Sequence, residues 1–215
     1  MIIKNLGKED RHLEKLWNFL SLEKLKYFGT KMFHMEQILT IKILELLLKE
    51  KLHAREIAKR LKTNHTTILR KLKKMVEANV IDFEQAGKNK VFFVKKSLEA
   101  KTYVFIVEFF KLIEFIRSYP QLKRVVALIQ KNDKVKLAVI FGSYAKFQAK
   151  KGSDVDIFVE TDDEKLKKEI ESLDSRLSVK IGIYDSSNPL IKEIEKDHVI
   201  IKGVEEFYEK SKFFE

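Results

Sequence analysis

The sequence predicts an α+β chain with a helical module closed by a β-hairpin, a long connector helix and a small mixed-sheet module at its C-terminal end. Three observations carry this reading. Apolar residues recur with helical period across 37–78, then give way to short β-rich runs at 80–84 and 90–94. Residues 98–118 are apolar around most of a helix. From residue 135 onward, short strands alternate with helices.

Composition narrows the function classes. The 215 residues carry a net charge of +11, and 45% are hydrophobic, enough for one large or two small cores. A sequence pI near 9.5 favours a polyanionic partner or substrate. There are no cysteines, which excludes a disulfide scaffold and a thiolate metal site and fits a reducing cytoplasm. No apolar run reaches membrane-spanning length, and the opening residues lack the apolar segment of a signal peptide, so a cytoplasmic chain with no membrane partner is expected. Two prolines, seven glycines and 35% charged residues imply long charged helices, a composition that a thermophile's proteome also gives.

The first expected segment is 1–35, where Leu13, Leu16, Trp17 and Leu20 follow helical spacing; His12 and His34 stand isolated and imply no chemistry. The next module, 36–96, holds helices at 37–49, 54–61 and 65–78. Lys62-Thr63-Asn64 is a turn ending in cap-forming residues. On the third helix Ile68, Leu69, Leu72, Met75 and Val76 form one stripe, with Thr66, Thr67, Arg70, Lys73 and Lys74 opposite and Lys71 at the edge. A hairpin follows, with a basic, Gly-containing tip at Ala86-Gly87-Lys88-Asn89. EIAKRLKTNHTTILRKLKKM and VID…GKNKVFFV resemble the core and wing of prokaryotic winged helix-turn-helix regulators. The resemblance implies duplex DNA binding, with Asn64, His65, Thr66, Thr67 and Arg70 near base edges and Lys71, Lys74, Lys88 and Lys90 on phosphates. A module for protein contacts is the rival reading.

Residues 97–119 form the expected connector. A helix this apolar must be covered on several sides, by one module and, as a hypothesis, by a second copy of the chain, giving a homodimer. Tyr119-Pro120 ends it, and a helix to residue 130 begins the last module, 120–215.

That module centres on VKLAVIFGSYAKFQAKKGSDVDIFVE, residues 135–160. A strand at 135–141 is broken by Gly142-Ser143, and a second strand runs over 154–159. Alternation puts Asp154, Asp156 and Phe158 on one face. Two carboxylates side by side resist desolvation unless a cation sits between them, and oxygen-only ligands suit Mg²⁺ completed by substrate phosphates. Gly142 permits close backbone approach and Ser143 adds a hydroxyl; Lys146 and Ser153 are further candidates for the same triphosphate. GSYAKFQAKKGSDVD resembles the GS…DxD signature of DNA polymerase β-type nucleotidyltransferases, most of all the minimal domains common in prokaryotes. Lys146-Phe147 stands where that family often has Arg-Gly. Beyond the motif come a helix at 162–173, a strand at 177–184, a helix at 191–196, a strand or turn at 199–202 and a helix at 204–214.

The resemblance implies transfer of a nucleoside monophosphate from an NTP to an acceptor hydroxyl, with Asp154 and Asp156 on Mg²⁺. It also implies a third carboxylate on the strand beside DxD. That strand reads LSVKIGIYD, and Ser178, Lys180, Gly182 and Tyr184 occupy the face where the acid belongs, leaving Asp185 as a candidate at the strand end. A positioned general base is worth about 10²–10⁴-fold. A DNA-binding regulator with a silent, nucleotide-binding transferase domain is therefore the alternative. An antitoxin-like chain that masks or modifies a small helical partner is a third.

Overall fold

The computed structural model describes residues 37–215. The segment 1–35, with the helix expected around Trp17, lies outside the described residues. The chain divides into two compact units, Met1–Lys42 and Ile43–Glu215; of the first, residues 37–42 are described and are helical.

Helix α1 covers 37–49. It is followed by β1 (Leu52–His53), α2 (Ala54–Arg60) and α3 (His65–Glu77). Asn64 caps α3: its side-chain oxygen accepts a hydrogen bond from the Thr66 N–H at 2.8 Å. Ile68, Leu72 and Met75 are buried, but Leu69 is 43% exposed, so the apolar stripe is narrower than its sequence indicates. Strands β2 (Ile81–Ala86) and β3 (Asn89–Val94) form the hairpin. The structure adds a strand the sequence does not announce. β1 pairs antiparallel with β3, giving the order β1-β3-β2. Two residues carry no readable alternation, so only a partner strand reveals β1.

Helix α4 (Leu98–Ser118) is as long as expected, but its environment differs. Ala100, Val104, Val107, Glu108, Leu112 and Phe115 form the buried face. The opposite face is open: Ile106 is 48%, Phe109 57% and Ile113 60% exposed. After a 3₁₀ turn at Pro120–Leu122 come α5 (Lys123–Lys131), β4 (Ala138–Phe141), α6 (Gly142–Ala145) and β5 (Val155–Glu160). Then follow α7 (Glu164–Glu171), β6 (Leu177–Gly182), α8 (Pro189–Lys196), β7 (Val199–Lys202) and α9 (Val204–Lys210).

The second sheet has the order β6-β5-β4-β7. β4 pairs antiparallel with β5 and β7, whereas β5 and β6 run parallel. A parallel pair needs a crossover, and α7 supplies it. Both sheet faces are covered. Val155, Ile157 and Val159 pack with Val126, Ile129, Leu166 and Ile170 on one side. Val139, Phe141 and Phe158 pack with Ile191, Ile194 and Phe207 on the other. Each such buried side chain stabilises the fold by about 1.5–3 kcal/mol relative to exposure. Both cores together hold the C-terminal end of β4 and the start of β5 side by side.

Candidate functional site

Phe141, the last residue of β4, is paired with Asp156 on β5. The chain then turns through Gly142, whose φ of +69° is a left-handed value that disfavours any side chain. Space demands glycine as well. A Cβ there would lie 2.8 Å from Asp156 Oδ2, so the backbone of the turn rests against the carboxylate. Asp156 is half-buried and Asp154 exposed. The Asp156 carboxyl is pushed up by burial and by the neighbouring Asp154 charge; a Ser178 hydrogen bond and the Lys180 ammonium pull it down, and Glu193 adds to the rise. The two aspartates thus share one field at the same end of the sheet as Gly142-Ser143.

Among the described residues no group of three or more His, Cys, Asp or Glu is arranged to hold a metal ion. A carboxylate whose charge is opposed by burial and by a second carboxylate beside it fits a divalent cation whose remaining ligands are water and substrate phosphate.

The other expected residues fall as follows. Ser143 follows Gly142 in α6, and its carbonyl accepts from the Gln148 N–H at 3.0 Å, folding the loop back. Lys146 is exposed just beyond α6. Its neighbour Phe147 has φ +55°, which accounts for glycine at this place in the related motif. Phe147 tolerates a conformation that costs an L-residue about 1–2 kcal/mol while stacking on Tyr119, ring centroids 6.2 Å apart. The Ser153 hydroxyl accepts from the Lys150 N–H at 2.9 Å and closes the loop before β5. Asp185 is not brought to the pair. In the parallel register Asp156 lies beside Ser178, and Gly182, at the far end of β6, is already on the order of 10 Å further along. The Asp185 carboxylate accepts from the Ser187 hydroxyl and N–H, which hold its pKa low. Glu193, on α8, is linked to the motif by no sequence spacing, and only the packing of α8 on the sheet brings its charge near Asp156.

Behind the 145–148 loop lies a cavity of about 600 Å³, bordered by α4, α8 and α9. Glu108 is buried in its wall. The Tyr208 hydroxyl donates to it at 2.8 Å, Lys111 Nζ lies 2.7 Å from its other oxygen, and His198 Nε2 is 3.5 Å away. Burial opposes its ionisation, but Lys111 and His198 outweigh it and hold the pKa at about 2.

Residues 123–206 match the family model described as Polymerase beta, Nucleotidyltransferase, and residues 40–82 match Bacterial regulatory protein, arsR family. The chain joins a helix-turn-helix to a nucleotidyltransferase domain. No curated protein matches it. Within the nucleotidyltransferase domain, the GS turn and both motif aspartates lie at one end of the sheet. In the helix-turn-helix, Thr66 and Arg70 are exposed on α3, and His65 and Thr67 are half-buried. Asn64 commits its side-chain oxygen to the cap. Lys71 is half-buried and Lys74 exposed, as is Lys88 at the hairpin tip. Lys90 Nζ sits 3.8 Å above the Phe83 ring and is held against β2. No helix among the described residues is long and apolar enough to cross a membrane.

Proposed function

We propose that this chain is a Mg²⁺-dependent nucleotidyltransferase tethered to duplex DNA, acting in the cytoplasm. Its divisions are an N-terminal segment (1–35), a winged helix-turn-helix (36–96), a connector (97–119) and a catalytic domain (120–215). Asp154 and Asp156 hold the cation together with the NTP phosphates. Gly142 lets the backbone approach, Ser143 donates its hydroxyl to the triphosphate, and Lys146 adds positive charge. An acceptor hydroxyl oxygen attacks the α-phosphorus and gives up its proton to solvent, the bond to the α–β bridging oxygen breaks, and pyrophosphate leaves. Bound Mg²⁺ supplies charge neutralisation of that displacement. The contact between the Gly142 backbone and Asp156, with Asp154 beside it, is the observation that supports this most directly. In the helix-turn-helix, Asn64, His65, Thr66, Thr67 and Arg70 read the major groove while Lys71, Lys74, Lys88 and Lys90 meet phosphates. Two copies of the chain present two such helices to a two-fold site.

One observation favours a second reading, a regulator that binds NTP but turns it over slowly. On β6 the residues that act on Asp156 are Ser178 and Lys180 rather than a carboxylate, so no acid on that strand receives the acceptor's proton. Incubation with α-labelled NTPs, Mg²⁺ and a panel of hydroxyl acceptors tests the first reading. Label transfer and pyrophosphate release are expected; tight NTP binding with no transfer to any acceptor overturns it in favour of the second.

A further inference from the structure

The cavity behind the 145–148 loop is separate from the motif: Gly142, Ser143, Asp154 and Asp156 do not line it. Its volume of about 600 Å³ lies in the ordinary range of small-molecule sites. Three properties of its wall describe an occupant. The first is aromatic. The rings of Phe147, Phe207, Tyr208 and Phe213 border the space, and Phe147 is 43% exposed. Ring faces of this kind favour a flat, unsaturated guest. The second is charge. Of the lysines in the wall, Lys49 is paired with Asp197 and Lys111 with Glu108, whereas Lys146 and Lys196 have no ion pair among the described residues. The remaining acids are engaged: Glu195 accepts from the Tyr184 hydroxyl at 2.6 Å, and Glu45 has a partner as well. The charge left over for a ligand is therefore positive. The third is a polar group. The His198 side chain is only 9% exposed, and its Nδ1 lies 2.8 Å from the Ile194 carbonyl oxygen. Its Nε2 has no hydrogen-bond partner, since Glu108 Oε1 at 3.5 Å is too far.

We infer that this cavity is a second nucleotide site, one that takes a purine nucleoside monophosphate. The base stacks among Phe147 and Phe213, and the phosphate meets Lys196. The edge of a purine carries donors and acceptors side by side, so it completes His198 Nε2 in either protonation state of the ring. An apolar guest leaves that nitrogen and both lysines without partners, and a bare phosphate leaves the rings unused. The occupant touches both modules. Lys146 and Phe147 continue directly from the Gly142-Ser143 turn, and α1, which supplies Leu46 and Lys49, belongs to the helix-turn-helix.

Isothermal titration of AMP into the full-length chain carrying Asp154→Ala/Asp156→Ala, without Mg²⁺, tests this apart from any event at the motif. Saturable binding of one AMP per chain is expected there and in wild type alike. Lys196→Glu should weaken AMP about tenfold and leave adenosine unchanged, because adenosine has no phosphate to lose. Ribose 5-phosphate, which lacks the base, should bind about tenfold or more weakly than AMP. Ser211→Trp fills the cavity from a half-buried wall position and should abolish AMP binding with unchanged helical circular dichroism. Absence of AMP binding in both proteins overturns the inference. So does AMP binding that is lost with the two aspartates, or that survives both Lys196→Glu and Ser211→Trp at wild-type strength.

Discussion

Gly142→Ala is the sharpest perturbation of the candidate site. Two costs can be separated. The left-handed backbone, φ +69°, costs an alanine about 1–2 kcal/mol wherever it occurs. The added Cβ also lies 2.8 Å from Asp156 Oδ2, well inside an ordinary contact, so the carboxylate must retreat by roughly 0.5 Å. Gly87→Ala isolates the first cost: its φ is +61°, and nothing lies within 4 Å of its Cβ. In urea unfolding both variants should lose the backbone cost, and Gly142→Ala should lose at least as much stability as Gly87→Ala. Only Gly142→Ala should lose function, because a misplacement near 1 Å at a reacting centre costs about 10²-fold. We expect Mg²⁺-dependent NTP binding, followed by isothermal titration calorimetry, to weaken about tenfold or more. Binding within twofold of wild type in Gly142→Ala would refute the assignment of this turn to the phosphates and metal.

Three further outcomes follow from the same geometry. Ser178→Asp places a carboxylate beside Asp156 on the parallel strand and should raise label transfer about 10–100-fold; an unchanged rate would mean that β6 does not hold the missing base. Glu108, with its pKa lowered from 4.5 to about 2, stabilises the fold by about 3 kcal/mol above pH 4.5, and this contribution fades as pH falls through the folded value. The stability gap between wild type and Glu108→Gln in urea should therefore shrink from pH 5 to pH 3, and a constant gap would contradict the buried ion pair. In duplex DNA binding, Lys74→Ala should lower the salt slope by about 1 without changing sequence preference, whereas Arg70→Ala should relax preference; equal slopes for Lys74→Ala and wild type would remove Lys74 from the phosphate contacts.

Local chemistry made much of this chain legible. The Asn64 cap, the helical period of α3 and α4, and the Gly-Ser break at the end of an apolar strand are all properties of neighbouring residues, so a single sequence carries them. The features that escaped depend on distant packing. β1 has no pattern of its own. The open face of α4 looks the same in sequence as its buried one, because both are apolar and only the fold decides which is covered. Alternation puts Ser178 on the acid's face, but only the parallel register sets it beside Asp156. That register also carries Asp185, eight positions beyond the start of β6, away from the motif. Phe147 shows the reverse case: its positive φ accounts for the glycine expected there, which the sequence alone records merely as a departure.

The central claim is that Asp154 and Asp156 bind a divalent cation together with a nucleoside triphosphate. Titration of Mn²⁺ into wild type and into Asp154→Ala/Asp156→Ala, with and without NTP and read by electron paramagnetic resonance, measures it directly. The account predicts a site that tightens when NTP is present and vanishes in the double variant; equal Mn²⁺ occupancy in both proteins with NTP present would contradict it.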